Sequence, residues 1–465
     1  MSLNYEHLSF NYKRAPMNYK LSHYTISTQV SEDKYVIFST RSCKVLLLEK
    51  ENYNFLINGH FDKVDSDIKN QLITAVILVP SFEDELMEII EENKMMISGN
   101  DVLYQVIQPS SNCQLGCGYC GQQHTKNDLQ AKDYEKLIER IKYKLSLKEY
   151  KALSIGWFGG EPLMSLHTLR KVTEKLKELT SDLGIGYNAK ITTNGLALKK
   201  NIFLELVNKH HIKTIEITLD GTAEFHDKRR FVKSGEKSFD LIFKNLVDIF
   251  SIENYKDLGA HISIRCNVDS TNYQSVVPLL QLLYQHGFQD KISHFYVAPI
   301  HSWGNEAHLV SLEKETFAEK EIEWILEQYK YGFSPLILPV RNHELCMITN
   351  QDAELIDAFG NIYNCTEVSY VPVYDNSQYK LGNIKDIDID QKFNSPHLQN
   401  WNDIVLADEK GYPCHTCKMF PVCGGGCPKS WEEGIIACPS NKFNIQDKLA
   451  INYIIQEKGA EYLMS

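Results

Sequence analysis

The stretch VLYQVIQPSSNCQLGCGYC, residues 102–120, joins an apolar strand candidate to three closely spaced cysteines and decides how the remaining chain is interpreted. Val102–Gln108 is a short apolar run, typical of a strand in a parallel sheet. Cys113, Cys117 and Cys120 follow it with the spacing Cys-x3-Cys-x2-Cys, so they are expected on the loop at its carboxyl end. Thiolates grouped this tightly are either soft-metal ligands or disulfide partners.

Seven more cysteines form a second group nearer the C-terminus: Cys346, Cys365, Cys414, Cys417, Cys423, Cys427 and Cys438. The sequence opens without the apolar core of a signal peptide, and its longest apolar run, near Leu72–Val79, is too short to cross a membrane. We therefore expect a protein of the reducing cytoplasm, in which clustered thiols bind metal instead of forming disulfides. The two other cysteines, Cys43 and Cys266, are expected to be small buried apolar residues.

The composition is that of an ordinary globular protein. A chain of 465 residues is long for one hydrophobic core, so two or three domains are expected. The net charge of −11 argues against a nucleic-acid-binding surface, because such surfaces usually carry a basic face. Neither nucleic acid nor a membrane is therefore an expected partner.

From Asp101 to about residue 300, strand candidates alternate with amphipathic helices. The strands are predicted at Val102–Gln108, Ala152–Phe158, Ala189–Thr193, Thr214–Leu219, Ile262–Val268 and His294–Ala298. The helices between them are predicted near 131–148, 165–181, 198–209, 238–252 and 273–286. This alternation implies parallel strands joined by right-handed crossovers, in a barrel or a doubly wound sheet. Six repeats in about 200 residues favour a partial (β/α)6 TIM-like barrel over the complete eightfold one.

The regions on either side of the barrel have other patterns. Ahead of it we expect strands and helices at Tyr35–Thr40, Val45–Leu48, Glu51–Gly59 and Ser66–Ala75, and a further helix that Ser81 caps. This order predicts a winged-helix-like α+β domain over residues 1–98. The barrel is assigned to 99–305, bridging helices to 306–340, an irregular cysteine-rich domain to 341–445, and a last helix to 446–465. The irregular domain has little periodicity and is expected to fold around metal.

Short motifs at the ends of the predicted strands complete the pattern that the first three cysteines begin. They are Gly159-Gly160-Glu161-Pro162, Thr193-Asn194-Gly195 and Thr218-Leu219-Asp220-Gly221, followed by His226-Asp227 and Arg229-Arg230. Each alone could be a simple turn. In this order, and with the aromatic Tyr119 before the last cysteine of the triplet, they resemble the radical S-adenosylmethionine (SAM) superfamily.

This resemblance implies that the three cysteines hold a [4Fe–4S] cluster whose fourth iron binds SAM, as the precursor of a hydrogen-abstracting 5′-deoxyadenosyl radical. The residues that it implies for SAM binding are Tyr119, Gly159, Gly160, Glu161, Pro162, Thr193, Asn194, Thr218, Asp220, Arg230 and Arg265. The alternative for the three cysteines is a zinc site that His124 completes.

The second cysteine group, with Gly360 five residues before Cys365, resembles the SPASM domain, an extension of some radical SAM enzymes that holds two auxiliary [4Fe–4S] clusters. The resemblance assigns the outer cluster to Cys414, Cys417, Cys423 and Cys438, and the inner one to Cys346, Cys365 and Cys427. Fully ligated relatives have one more cysteine shortly before the first of these, and Pro335–Glu344 contains none. Either His343 or Glu344 replaces it, or one iron stays open and could bind a substrate thiolate. A pair of structural zinc sites is the alternative.

SPASM enzymes mostly act on peptides or proteins, so the resemblance implies maturation of a ribosomally made precursor peptide through a thioether or carbon–carbon crosslink, or by epimerisation. The implied partners are that precursor with its leader, which docks by adding a strand to a PqqD-like N-terminal domain, and a flavodoxin- or ferredoxin-type electron donor. Anaerobic sulfatase maturation, by formylglycine formation, and non-catalytic electron transfer are the alternatives. The long segment before Cys113 and the missing cysteine favour the peptide maturase. The sequence identifies no catalytic acid or base, no particular peptide and no oligomeric state.

Overall fold

The computed structural model describes residues 18–459, apart from 387, 389, 394, 395, 408 and 409, together with residue 462. Its first part contains two small antiparallel sheets, one of β2, β3 and β4 and one of β1 and β5. The elements are β1 (Tyr19–Leu21), β2 (Thr25–Gln29), β3 (Lys34–Ser39), β4 (Val45–Glu49), α1 (Lys50–Ile57), α2 (Ser66–Thr74), β5 (Leu78–Pro80) and α3 (Glu85–Gly99). The prediction that Ser81 caps the third helix is wrong. Asp84 caps it, because its carboxylate accepts a hydrogen bond from the Met87 amide at 3.2 Å.

Six parallel strands and the helices between them form the centre of the molecule. They are β6 (Val102–Ile107), α4 (Tyr134–Leu145), β7 (Ala152–Trp157), α5 (Leu166–Asp182), β8 (Gly186–Thr193), α6 (Lys200–Asn208), β9 (Ile212–Thr218), α7 (Ala223–Arg229), α8 (Phe239–Phe250), β10 (His261–Val268), α9 (Val276–Gln285) and β11 (Ile292–Pro299). Each strand lies beside the next one along the chain, and the order never reverses, as it would in a doubly wound sheet. The predicted α/β fold with a (β/α)6 order is therefore confirmed, and the one helix that the prediction omits is the seven-residue α7.

The remaining elements are α10 (Lys314–Lys330), β12 (Glu354–Ile356), β13 (Asn361–Tyr363), β14 (Lys380–Asn383), α11 (Trp401–Ile404), α12 (Phe420–Cys423), α13 (Pro428–Glu432) and α14 (Asn441–Lys458). β12 lies parallel beside β6 and is followed by the antiparallel β13 and β14, so the central sheet has nine strands. The sequence pattern did not predict these three strands, because each has only three or four residues, too few to show a period.

Glu354 fixes the added strands to the barrel. Its side chain is 1% exposed and accepts hydrogen bonds from Arg140 of α4 at 2.6 and 3.0 Å. Lys144 lies 2.9 Å from the same carboxylate. A buried carboxylate is tolerated only when it is paired and hydrogen-bonded. This contact therefore fixes β12 to α4, the helix that follows β6.

The N-terminal part, residues 18–99, packs on the cysteine-rich part, residues 341–445, and on α14. Phe38 of β3 lies in one apolar core with Met419 and with Leu449 of α14. Ile89 of α3 lies in another with Trp401. Removing the N-terminal part would therefore expose apolar surface elsewhere, and point substitutions are the better probes of its role.

Of the cysteines outside the two groups, Cys266 is fully buried in the barrel core, as predicted. Cys43 is only partly buried, at the edge of the core that contains Met419. The described residues include no helix with the length and apolar character needed to cross a membrane.

Candidate active site

A cavity of about 280 Å³ lies at the carboxyl ends of the parallel strands, which is the face that carries the chemistry in α/β barrels. The loop after β6, with its three cysteines, forms part of the wall. Twelve of the residues predicted for the cluster and SAM line it: Cys113, Cys117, Tyr119, Cys120, Gly159, Gly160, Glu161, Thr193, Asn194, Thr218, Arg230 and Arg265. Pro162 and Asp220 are buried just outside this lining.

The segment that follows α7 holds the cysteine loop in place. The amides of Gly116 and Gly118 donate to the carbonyls of Phe231 and Arg229, each at 2.9 Å. A Cβ atom at Gly116 would lie 2.9 Å from the Phe231 ring, so this close approach requires glycine. These two backbone hydrogen bonds, and the small size of Gly116, thus set the path of the loop.

The three thiols of the cysteine loop line the cavity together. Burial raises the pKa of the Cys113 thiol to about 12, so ionisation of this thiol needs a cation. Within the part of the chain that the structure describes, no three His, Cys, Asp or Glu side chains converge closely enough to hold a single ion. His124 lines the cavity, yet the structure does not gather it with the thiols into a zinc site. Three cysteines on one loop beside an open cavity are the ligand set of a [4Fe–4S] cluster that leaves one iron for another ligand.

Gly159 and Gly160 leave a cradle beside the cysteine loop. Their φ angles are +77° and +55°, values that favour glycine. A Cβ atom at Gly160 would lie 2.7 Å from the carbonyl oxygens of Ser110 and Asn112. The Gly160 amide donates to Gln122 Oε1 at 3.1 Å, which holds this backbone against the cysteine loop.

Replacing Gly160 by alanine is expected to weaken SAM binding at least about tenfold, because the left-handed backbone alone costs about 1–2 kcal/mol and the clash adds to it. Isothermal titration calorimetry of anaerobically reconstituted protein measures the effect. Gly184→Ala is the matched control, since Gly184 has a φ of +66° but open space around its Cβ position. Equal SAM affinity in the two variants would contradict the role of the cradle.

Glu161 joins the ends of two neighbouring strands. Its buried carboxylate accepts hydrogen bonds from the Thr193 hydroxyl and the Asn194 amide, both at 2.7 Å, and from the Leu163 amide at 3.0 Å. The Asn194 side chain in turn lies 3.7 Å from Cys113 Sγ, which it approaches as a donor. Glu161 therefore positions the loop after β8 against the first cysteine.

A polar network surrounds the aromatic residue of the cysteine loop. The Tyr119 hydroxyl donates to Asp220 at 2.6 Å and accepts from Arg230 at 2.6 Å and from Asn267 at 3.1 Å. The Arg229 guanidinium lies over the Tyr119 ring, 5.1 Å from its centroid. Asp220 thus reaches the cavity through Tyr119.

Arg230 shows that a negatively charged group suits this cavity. The residue is 7% exposed, and its Nε finds no hydrogen-bond partner among the described residues. An unpaired buried donor is costly and calls for an acceptor. With three thiols and the glycine cradle on the same wall, the residues present fit a [4Fe–4S] cluster and the carboxylate-bearing SAM.

Sequence reasoning missed the opposite wall of the cavity. His301 and Trp303 follow β11, and Glu367 and Val371 follow Cys365. Burial raises the pKa of the Glu367 carboxyl, and the nearby Arg265 guanidinium opposes that rise. These residues carry no motif. Glu367 and Val371 reach the cavity because β12 and β13 extend the barrel sheet, and His301 and Trp303 reach it through the turn after β11.

The seven C-terminal thiols lie in two sets. Burial raises the pKa of Cys414 to about 12, and Cys423, Cys417 and Cys438 lie near enough to raise it further. Burial likewise raises the pKa of Cys365 well above its usual range, with a further rise from Cys346 and Cys427. Cys414, Cys417, Cys423 and Cys438 thus lie near one another, and so do Cys346, Cys365 and Cys427.

The two side chains considered as a fourth ligand for the set of three make other contacts. His343 Nδ1 lies 3.3 Å from Asn93 Oδ1 of α3. The Glu344 carboxylate accepts from Asn100 at 2.9 Å and from Asn350 at 2.7 Å. Both side chains therefore help to hold the cysteine-rich part together.

Comparison with known proteins agrees with the resemblance found in the sequence motifs. The family model of the radical SAM superfamily matches residues 107–283. A cysteine-type anaerobic sulfatase-maturating enzyme of Clostridium novyi (strain NT) is 25% identical over 351 residues, which cover 71% of this chain and 89% of that protein. The radical SAM cyclopropyl synthase TigE of Paramaledivibacter caminithermalis is 25% identical over 221 residues, 43% of this chain and 45% of that protein. The solved structure of native anSMEcpe with bound AdoMet and Cp18Cys peptide has a TM-score of 0.56 and 18% identity, and covers 78% of this chain and 99% of that one.

The fold and the thiol-bearing loop define an α/β barrel protein with its site at the strand ends. This chain contains a radical SAM domain, and the resemblance drawn from its motifs is confirmed. The matched region runs from the end of β6 into α9, so it includes all three cysteines of the loop. Members of the superfamily bind SAM and a [4Fe–4S] cluster.

Proposed function

We propose that this radical SAM protein is a SPASM-type maturase of a ribosomally made precursor peptide. One observation carries the proposal: the cysteine-rich part closes the cavity that the SAM motifs line. Glu367 and Val371 line it together with the first cysteine loop. A second cavity, of about 390 Å³, is lined by Cys427 and Cys438 and shares His301 and Trp303 with the first. A substrate held in these adjoining cavities reaches both the SAM site and the C-terminal thiols.

The roles proposed for the chain follow from these contacts. Cys113, Cys117 and Cys120 would hold the cluster, and the glycine cradle, Arg230 and Arg265 would bind SAM. The bound cofactors supply a hydrogen-abstracting 5′-deoxyadenosyl radical. Tyr119 and Asp220 orient Arg230, while Trp303, Glu367 and their neighbours shield the cavity from water. Besides SAM, we propose three [4Fe–4S] clusters as cofactors. One is held by the first cysteine loop, and each of the two C-terminal thiol sets holds another.

The set of Cys346, Cys365 and Cys427 would leave one iron without a protein ligand. The contacts of His343 and Glu344 with other residues support this, since neither side chain is free for the task. An open iron is a Lewis acid suited to a substrate thiolate. This arrangement favours a thioether as the bond formed.

The leader peptide would dock on the edge of the N-terminal three-stranded sheet. Within the described residues, β4 pairs with β3 alone, so one of its edges offers free amides and carbonyls. Leu47 on this strand is 39% exposed. A strand edge with an exposed apolar side chain is the surface to which extended peptides add.

Sulfatase maturation is the second candidate. The similarity to the Clostridium novyi enzyme favours it, because that match covers most of both chains. The product would then be formylglycine, an aldehyde, on a sulfatase. The sequence of the cysteine-rich part favours the peptide maturase, since Pro335–Glu344 contains no fourth cysteine to complete its set of three thiols.

Incubating the reconstituted protein with SAM, a reductant and a cysteine-containing precursor from its gene neighbourhood is expected to give a peptide lighter by two hydrogen atoms. The thiol that forms the crosslink should resist alkylation, and the electron paramagnetic resonance (EPR) spectrum of the inner cluster should change when the precursor is added. Mass spectrometry and EPR check the two results. A precursor carrying alanine for cysteine is the control. A product that reacts with a hydrazide would instead show an aldehyde and the sulfatase-type reaction, and an unchanged inner-cluster spectrum would contradict the open iron.

A further inference from the structure

Cys438 lies between two ammonium groups that the proposed chemistry at the SAM site does not use. Lys442 Nζ is 3.5 Å from Cys438 Sγ, to which it donates a hydrogen bond. Lys314 Nζ is 3.2 Å from the Cys438 carbonyl oxygen. Both lysines are partly buried, and they come from different helices, α14 and α10.

The position of Lys442 is unfavourable for its own helix. It is the second residue of α14, where the partial positive charge of the helix N-terminus repels a cation, and the first turn contains no acidic residue to offset that repulsion. Lys314 is the first residue of α10, where Glu315 in the same turn offsets the repulsion. Lys442, placed against the electrostatics of its own helix and hydrogen-bonded to one thiol, therefore indicates a negative group that it faces.

The four thiols Cys414, Cys417, Cys423 and Cys438 are that group. The other contacts in the set are weaker: the Gly425 amide donates to Cys423 Sγ at 3.4 Å and carries no net charge. In the first cysteine loop, by contrast, the donor to Cys113 Sγ is the neutral side-chain amide of Asn194, at 3.7 Å. Among the described residues, a hydrogen bond from an ammonium group to a thiol is therefore particular to the four-thiol set.

We propose that Lys442, assisted by Lys314, raises the reduction potential of the iron–sulfur cluster held by the four-thiol set. The inference rests on the proposed function, which places a cluster there. Reduction adds a negative charge to the cluster, and a nearby ammonium stabilises the more negative state more strongly. Hydrogen bonds to the sulfurs and local charge are established determinants of such potentials. Lys442 is thus a positioning residue that makes the outer cluster easier to reduce.

The test is EPR-monitored potentiometry of the full-length, reconstituted protein. The signal that the double variant Cys414→Ala, Cys417→Ala removes identifies the outer cluster. In Lys442→Met its reduction should be about tenfold less favourable, which corresponds to a potential about 59 mV lower for one electron. Lys442→Arg keeps the charge and should retain the wild-type potential. Lys200→Met is the matched control, because Lys200 is an exposed lysine in the first turn of α6, a helix of the barrel.

The outcomes separate this inference from the proposed function. If Lys442→Met keeps its iron and its EPR signal but the potential stays at the wild-type value, Lys442 has no such role and the proposed function stands. If Lys442→Met fails to hold iron, Lys442→Gln takes its place, because glutamine keeps a hydrogen-bond donor without the charge. The reduction potential of the outer cluster should fall in Lys442→Gln as well, and an unchanged potential would contradict the role of Lys442. If the double variant Cys414→Ala, Cys417→Ala has the iron content and signals of the wild type, the outer cluster is absent, and both the inference and the cluster assignment are wrong.

Discussion

Replacing Cys113, Cys117 and Cys120 together by alanine is expected to reduce 5′-deoxyadenosine formation from SAM to below detection. These thiols are the ligands proposed for the cluster that must reduce SAM, and the cavity wall they share with the glycine cradle has no other thiol set. Iron content should fall from roughly twelve to roughly eight atoms per chain, because one four-iron cluster of three is lost. Product chromatography and iron analysis measure the two effects.

Cys43→Ala is the control for this variant, since Cys43 lies outside both cysteine groups and is only partly buried. It should keep the wild-type iron content and activity. If the triple variant still formed 5′-deoxyadenosine at the wild-type rate, the cysteine loop would not be the SAM-cleaving site. An unchanged amount of iron in the triple variant would exclude a cluster on this loop.

Replacing Leu47 by aspartate should abolish most precursor modification while SAM cleavage without peptide continues. Full burial of a leucine side chain contributes about 1.5–3 kcal/mol, and Leu47 has 39% of its surface left to bury, so its loss alone weakens leader binding roughly three- to sevenfold. The added charge on the free edge of β4 opposes strand addition further. Fluorescence anisotropy of a labelled leader gives the dissociation constant, and mass spectrometry follows the modification.

Leu183→Asp is the matched control. Leu183 follows α5 on the barrel and is 46% exposed, close to the 39% of Leu47, but lies outside the N-terminal part. Leader binding should be unaffected in this variant. Equal leader affinity for wild type and Leu47→Asp would place the leader elsewhere, and reduced SAM cleavage in Leu47→Asp would indicate a general loss of structure.

The barrel could be predicted closely because its strands are long and apolar. The predicted strand Ala152–Phe158 differs from β7, Ala152–Trp157, by one residue, and the motif Gly159–Pro162 directly follows it. Strand ends in a parallel sheet meet at one edge, so motifs located there from sequence also meet in space. That rule accounts for the twelve predicted residues found around one cavity.

The cysteine-rich part could not be predicted in this way. Its strands are too short for periodicity, and the pairing of β12 with β6 joins residues about 250 positions apart, which no local pattern encodes. Glu367 and Trp303 reach the cavity through that pairing and through the turn after β11. The cap of α3 was missed for a different reason. Ser81 and Asp84 are both good capping residues, and only the backbone direction decides between them.

The hydrogen-bonded pairing of β12 with β6 sets the spacing of the redox sites. β6 ends six residues before Cys113, and β13, the partner of β12, ends two residues before Cys365. The buried contact of Glu354 with Arg140 adds a second fixed connection at the same place. The first cysteine loop and the three-thiol set that contains Cys365 are therefore attached to the same sheet, close to its paired strands. In the proposed maturase, this shared sheet would hold the two clusters at a set distance for electron transfer.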